Sequence, residues 1–296
     1  MKVCIDAGHY GKYNHSPVLD SYWESDMTWK LSQYLKQELN ALGVETVMTR
    51  TSQAADRELV SRGYASKGCD LFISEHSNAA SSSTAAYALA IYMRENGNES
   101  YDEKSKAIAE KLAKVTGDTM GVGYRTYSKP ADWDRDGNGK KDDEWYGVLQ
   151  GAKQAKVPGI IMENGFHTNL KDAQWLSNDA NLKKLAKAQA KCIADWGGVK
   201  PSSTPSSGSS QKKVIASHYA TSESKSYDRT YTTTAALNMR DGAGVQYKIL
   251  VTLPKNTKVR CYKYYSKSSD GAIWLLVAAD LNGVHYEGFV NSGWLK

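Results

Sequence analysis

The stretch Val3-Cys4-Ile5-Asp6-Ala7-Gly8-His9 constrains this chain most. It is a short apolar run that reads as a buried strand, then a glycine, then an imidazole at the strand's carboxyl end. In open α/β sheets the crevice beyond the carboxyl ends of the strands is where ligands bind. The design recurs twice. Asp70-Leu71-Phe72-Ile73-Ser74-Glu75-His76 closes another apolar run with a histidine, and Pro158-Gly159-Ile160-Ile161-Met162-Glu163 closes a third with a carboxylate. Three strand ends that deliver two imidazoles and a carboxylate suggest a single site.

The segments between these strands alternate in type. Met27, Leu31, Tyr34, Leu35, Leu39 and Leu42 recur at helical spacing, and Gly43 supplies a stop. Glu24 opens that helix, where Ser21-x-x-Glu24 also matches a capping box. Residues 44–49 read as a second strand. A polar segment with Arg50, Arg57 and Arg62 then leads through a short helix to the strand ending at His76. Residues 86–93 read as a further strand, and 102–116 as an amphipathic helix ended by Gly117. A last helix, capped by Asn178 or Asp179, runs through Leu182, Leu185, Ala186, Ile193 and Trp196. This alternation predicts an α/β fold, a twisted and mostly parallel sheet flanked by helices.

The composition changes abruptly after Trp196. Residues 197–213 (GGVKPSSTPSSGSSQKK) offer nothing to bury and read as a flexible linker. Beyond it come short β-type runs at 234–239, 247–253, 258–265, 273–278 and 287–290, with an Asp241-Gly242 turn. They predict a small all-β barrel of SH3 size. The expected domains are therefore 1–196, the linker 197–213, and 214–296. Charge divides the same way: residues 1–196 carry 25 Lys and Arg against 26 Asp and Glu, and residues 211–296 carry 12 against 6. The net +6 of the 296-residue chain thus belongs to the carboxyl-terminal part and the linker, which favours a polyanionic partner or simply a soluble basic module.

No run approaches the ~18–20 apolar residues of a membrane span, and the first residues enter a strand directly, so neither membrane insertion nor a secretory signal is expected. Synthesis in the cytoplasm follows, with any extracellular target reached after release. Cys4, Cys69, Cys192 and Cys261 show no Cys-x-x-Cys spacing and read as reduced thiols.

Two histidines and a carboxylate suit a catalytic zinc, which keeps one position open for water. Hydrolysis also needs a base that takes the water's proton and returns it to the leaving amine. The candidate ligands are His9, Glu24 and His76, with Glu163 as base. A histidine taken singly is more often structural or solvated than a ligand, and two at the ends of apolar strands bring the readings level.

Here the residues carry a family likeness. Asp6-Ala7-Gly8-His9, Glu24 at a helix start, Arg50 after a strand, Phe72-Ile73-Ser74-Glu75-His76-Ser77-Asn78-Ala79 and Met162-Glu163-Asn164-Gly165-Phe166 together resemble the zinc-dependent N-acetylmuramoyl-L-alanine amidases of the amidase-3 type. The resemblance covers residues 1–196. It implies a zinc held by His9, Glu24 and His76, with Glu163 as the catalytic carboxylate. The implied reaction is hydrolysis of the amide between the lactyl group of muramic acid and the first L-alanine of the stem peptide. Three positions depart from the usual pattern: Tyr10-Gly11 after His9, Glu75 before His76, and His167 after Gly165-Phe166. They bear on substrate fit more than on the ligands, and alternation along a strand should point Glu75 away from His76.

The carboxyl-terminal part is similar to bacterial SH3-type domains in Ala236-Leu237-Asn238-Met239-Arg240-Asp241-Gly242-Ala243-Gly244, in Leu253-Pro254-Lys255-Asn256-Thr257-Lys258-Val259, and in Glu287-Gly288-Phe289-Val290 with Trp294-Leu295. That resemblance implies binding to peptidoglycan and anionic wall polymers. Tyr262, Tyr264, Tyr265 and Trp274 are candidates for a groove, with Trp274 the best candidate for barrel core instead.

One polar insertion stands apart. Residues 132–143 place acids at positions 1, 3, 5 and 12 and glycine at 6, the spacing of a calcium loop, although Asp143 stands where a bidentate Glu is usual. A solvated acidic hairpin explains the same residues.

The expectation is a monomeric peptidoglycan hydrolase with one catalytic Zn2+, a Ca2+ as a second candidate ion, and no nucleic-acid partner. It would act on the bacterial cell wall after release, as a phage endolysin or an autolysin. The alternatives are a zinc endopeptidase of the stem peptide and an inactive wall-binding protein. A nucleic-acid binder, suggested only by the basic barrel, predicts a steep salt dependence of DNA affinity.

Overall fold

The computed structural model describes residues 1–94, 99–199, 212–218 and 220–296. Two compact units make up the chain, Met1–Ser203 and Thr204–Lys296. In the first, the elements are β1 (Lys2–Ala7), α1 (Glu24–Ala41), β2 (Glu45–Met48), α2 (Leu59–Tyr64), β3 (Leu71–Asn78) and β4 (Tyr87–Tyr92). They continue as α3 (Ser100–Met120), β5 (Gly123–Ser128), α4 (Gly147–Ala155), β6 (Gly159–Phe166), α5 (Leu170–Leu176) and α6 (Asp179–Trp196).

The six strands form one sheet in the order β2-β1-β3-β6-β4-β5. β2, β1, β3 and β6 are parallel neighbours, while β4 runs antiparallel to β6 and holds β5 parallel beside it. The sheet is thus mostly parallel, as the alternation predicts, with its last two strands reversed. Val3, Cys4, Ile5, Asp6 and Ala7 are all fully buried, so β1 is covered on both faces and hydrophobic alternation is unnecessary there. Cys4, Phe72 and Ile161 meet Val148, Leu149 and Ala152 of α4 on one face. α2 packs on α4, while α1 and α3 pack on α6 in the other helical layer.

The α2–α4 crossing depends on two glycines. A Cβ on Gly63 would stand 1.9 Å from the Val148 carbonyl oxygen, and one on Gly151 would stand 2.0 Å from that of Val60. Backbone meets backbone here, so no side chain can yield. Gly63→Ala should therefore lower stability by about 3 kcal/mol, at the upper end of overpacking effects. A urea midpoint unchanged in this variant would mean that the helices part without loss.

Three elements differ from the sequence reading. α3 runs past Gly117 and ends at Gly121, whose φ is 75°. Gly117 lies inside the helix because the Val122 and Gly123 carbonyl oxygens approach to 3.0 Å of where a Cβ would be. β5 is an edge strand, exposed along nearly its whole length, so its residues carry no apolar signal. The capping box does not form: the N-cap of α1 is Trp23, without a side-chain cap bond.

The second unit is all-β: β7 (Lys212–Ile215), β8 (Ser222–Glu223), β9 (Arg229–Thr232), β10 (Leu237–Arg240), β11 (Ile249–Leu253), β12 (Lys258–Lys267), β13 (Ile273–Leu281) and β14 (Val284–Asn291). Its sheet is antiparallel apart from the β14–β7 pair. Met239, Leu253, Val259, Cys261, Leu275, Val277 and Val290 fill its core. Trp274 is buried with Phe289, and Tyr265 packs against the core, so neither is a free groove residue. Tyr262 is 55% exposed. Of the linker expected at 197–213, residues 200–211 lie outside the described residues, and Lys212 and Lys213 already belong to β7.

Among the described residues no helix is long and apolar enough to cross a membrane. All four cysteines are free thiols, Cys4 and Cys261 buried.

Candidate metal centre and active site

Parallel register brings the carboxyl-terminal halves of three strands side by side. Ala7 at the end of β1 pairs with Glu75, and His76 pairs with Glu163, but β3 runs on to Asn78 and β6 to Phe166, so neither His76 nor Glu163 closes its strand as the sequence reading expects. The strand order reverses at β1, which is where α/β sheets open a crevice. Gly8 is required by this arrangement: a Cβ there would lie 2.3 Å from the His76 ring. His9 follows with φ 59°, a left-handed turn that breaks the strand and throws the imidazole across the crevice. The Ala7 carbonyl before that turn accepts from Arg50 Nη2 at 2.7 Å. Arg50 is itself buried and donates to the carbonyls of Gln53 and Ala55, both at 3.0 Å.

Glu24 enters from the first turn of α1 and is 1% exposed. Its Oε1 lies 2.9 Å from His76 Nδ1 and accepts from the Ser77 N–H at 3.0 Å, and its Oε2 lies 3.2 Å from His9 Nε2. These bonds explain the missing cap, since a carboxylate held by the two imidazoles cannot turn back to the helix start. Donor atoms of His9, Glu24 and His76 all lie within 4.8 Å of one another. Burial opposes ionisation of Glu24, but the bonds to His76 and then His9 hold its carboxyl well below the usual range. Burial likewise opposes a charged His76, yet Glu24 raises its pKa to about 9.

A buried carboxylate flanked by two imidazoles is satisfied only by positive charge at that point, from protonated imidazole or from a divalent cation. The His/Glu/His donor set, with a fourth side left to solvent or substrate, fits a catalytic zinc. Glu163 stands next to it on β6. Its Oε2 is buried without a hydrogen-bond partner, and burial raises its pKa to about 7, with Glu24's charge adding to the rise and His76 opposing it. A carboxylate poised near neutrality and free of bonds suits proton transfer. All four sequence-predicted residues therefore meet in one crevice.

Sequence reading missed the polar shell behind Glu24. Tyr22 Oη donates to Ser77 Oγ at 2.8 Å, and His167 Nδ1 lies 3.0 Å from the same oxygen and 3.1 Å from the Ser77 carbonyl. His167 Nδ1 is also 3.8 Å from Glu24 Oε2, and burial pulls its pKa below the ordinary imidazole value. The departure at position 167 is thus a side chain packed behind the Glu24 carboxylate. Asn14 was missed too: its Nδ2 lies 2.7 Å from Glu24 Oε2 and 3.1 Å from His9 Nε2. Glu75 faces the other side of β3, as alternation requires, where it is fully buried and accepts from Asn164 Nδ2 at 2.7 Å. Only the unusual residue types at 75 and 167 gave any signal of these networks.

In the 132–143 insertion, Asp134, Asp136 and Asp143 bring oxygens within 4.8 Å of one another, while Asp132 stays outside that group. Asp134 already accepts from the N–H groups of Gly137 and Gly139, each at 2.8 Å, and Asp143 from the Arg135 N–H at 2.5 Å. The loop is closed by its own backbone N–H groups, and Asp143 is buried and also accepts from Gln150 Nε2 and Lys153 Nζ, which ties this end of the hairpin to α4.

Comparison with known proteins finds relatives of the first unit. A family profile described as N-acetylmuramoyl-L-alanine amidase matches residues 3–195. The N-acetylmuramoyl-L-alanine amidase LytC of Bacillus subtilis (strain 168) is 26% identical over 194 residues, which are 63% of this chain and 33% of LytC. The chain therefore spans a third of that relative's length. An uncharacterized protein of the same strain, YqiI, is 26% identical over 191 residues, 63% of this chain and 80% of YqiI. Among solved structures, the catalytic domain of CwlV from Bacillus (Paenibacillus) polymyxa var. colistinus matches with TM-score 0.54 at 22% identity, covering 67% of this chain and 99% of that one. Ami1 of Mycobacterium smegmatis matches with TM-score 0.52 at 20% identity, covering 68% and 98%. Such structural likeness at these identities speaks for the fold.

Proposed function

The chain belongs to the N-acetylmuramoyl-L-alanine amidase family, and from that premise we propose that it hydrolyses the amide joining the lactyl group of muramic acid to L-alanine in peptidoglycan. The observation that carries this reading is the meeting of His9 after β1, Glu24 at the start of α1 and His76 on β3, with Glu163 paired beside His76 on β6. When bound, a zinc ion held by His9, Glu24 and His76 supplies Lewis-acid activation of water and of the scissile carbonyl. Glu163 takes the attacking water's proton at its unbonded Oε2 and returns it to the departing alanine nitrogen. Its raised pKa suits both halves of that task. The Ser77 N–H and the His76 ring fix Glu24, so the ligand carboxylate does not wander during the cycle.

The basic second unit completes the reading as an SH3-type module that holds the enzyme on peptidoglycan and anionic wall polymers. Its all-β build and its basic excess, 12 Lys and Arg against 6 Asp and Glu in residues 211–296, support that division of labour. We read the chain as a monomeric lytic enzyme without a nucleic-acid partner, reaching the wall after release as an endolysin or autolysin does. The test is direct: purified protein should clear peptidoglycan suspensions, lose activity to a chelator and regain it with zinc. Clearance that survives exhaustive chelation would overturn the mechanism.

Calcium is the ion that the oxygen donors of Asp134, Asp136 and Asp143 would take. Millimolar calcium should then raise the melting temperature by several degrees, and Asp134→Ala should abolish the rise. A melting curve indifferent to calcium leaves the loop as the hairpin described above.

A further inference from the structure

Three rings line the edge of the crevice. His9 and Tyr13 stack with centroids 4.9 Å apart and planes 12° from parallel, and Tyr13 continues to Tyr10 at 6.2 Å and 23°. Tyr13 is 50% exposed and Tyr10 39%. One face of Tyr13 is accounted for, since it steadies the ligand imidazole. Nothing in the packing accounts for Tyr10.

The segment that bears these rings is firmly anchored. Gly11 donates its N–H to the Gln53 carbonyl at 3.0 Å, and its own carbonyl accepts from Ser25 Oγ at 2.8 Å. The Tyr13 N–H donates to Ser25 Oγ at 3.0 Å, and the Asn14 carbonyl accepts from the Glu24 N–H at 2.9 Å. Lys12 pairs with Asp26. An anchored loop that leaves two aromatic rings partly exposed at the crevice edge is preorganised to bind, because little rotamer freedom remains to be lost.

We propose that Tyr10 and Tyr13 form a stacking subsite for a pyranose ring of the glycan strand, adjacent to the muramoyl residue whose amide is cut. The inference rests on the amidase reading of the site. Its occupant is argued from two features. The shelf continues outward from ligand His9, so whatever lies on it is covalently near the scissile amide. The shelf is also electrically neutral, with Lys12 compensated by Asp26, which favours an uncharged ring over a stem peptide bearing carboxylates and amines. A pyranose offers a flat C–H face to an aromatic ring and keeps its hydroxyls at the edge in water.

The test uses the full zinc-loaded chain and Tyr10→Ala, since Tyr13 also touches a ligand. Two substrates are compared, a muramoyl peptide with a single sugar and one embedded in a multi-sugar strand. The ratio of their KM values (multi-sugar over single-sugar) should rise about tenfold in Tyr10→Ala, the loss of roughly one good aromatic contact. Tyr10→Phe should restore it, and zinc content should equal that of the wild type. A ratio unchanged in Tyr10→Ala, or one that Tyr10→Phe fails to restore, overturns the subsite. A second arm measures calorimetric binding of peptide-free glycan strands to wild type and Tyr10→Ala. If the wild type cuts neither substrate but binds glycan more tightly than Tyr10→Ala, the subsite stands and the amidase reading falls. Equal binding by both proteins contradicts the subsite whatever the activity.

Discussion

Glu163→Gln should lower kcat for amide hydrolysis by about 10²–10⁴-fold, the range lost with a general acid–base group, while fold and zinc content stay intact. The variant keeps the volume of the side chain and removes only its proton chemistry. It also has a signature in stability. Burial raises the Glu163 pKa in the folded protein to about 7, above its ordinary value of 4.5. The folded state therefore binds the proton more tightly than the unfolded chain, and its stability falls as pH rises from about 4.5 through 7. Glutamine removes that dependence. In the metal-free protein, Glu163→Gln should match the wild type near pH 4.5 and melt at higher temperature at pH 8. A variant that melts lower at pH 8 would mean that the carboxylate is held by partners other than those described.

Glu24→Gln should weaken zinc binding by about 10²–10⁴-fold, because breaking a buried charge pair costs about 3–5 kcal/mol. Competition with a chromophoric chelator reads this without any reference to turnover. Glutamine can still accept from the Ser77 N–H through its carbonyl oxygen, so the position stays filled. What it loses is the negative charge that raises the His76 pKa to about 9. In the metal-free variant the His76 resonances should then titrate at lower pH than in the wild type. An unchanged zinc affinity would exclude Glu24 from the ligand set and leave two imidazoles too few for a structural account of the site.

The part of this molecule legible in the sequence is the part built on local pattern. Apolar runs leading to His9, His76 and Glu163 announce three strands whose carboxyl-terminal halves lie side by side, although β3 and β6 run on to Asn78 and Phe166. Glu24 was harder, since Ser21-x-x-Glu24 offered a sufficient local explanation. Tertiary contacts decide it: the carboxylate has two imidazoles and the Ser77 N–H to satisfy, and the helix goes without a side-chain cap. Gly117 misled for a related reason. A glycine near a helix end suggests a stop, yet here it admits the carbonyls of Val122 and Gly123 against the helix. The reversed pair β4–β5 was invisible because direction leaves no mark on residue type. Ser77 and Tyr22 act through bonds to residues far along the chain, and no spacing rule finds such bonds; Asn14 bonds nearer residues, His9 and Glu24, from within an irregular loop. His167 stood out only as a polar residue in an apolar position, and the Tyr10–Tyr13 shelf only as a loop richer in rings than its neighbours.

The central claim is that His9, Glu24, His76 and Glu163 together cut one particular amide. The most direct measurement labels the new termini released when the zinc-loaded protein digests purified peptidoglycan. The account predicts the free α-amine of L-alanine, with no increase in reducing sugar ends. New amines on any other residue of the stem peptide, with no free alanine amine, would contradict it and make the chain a peptidase.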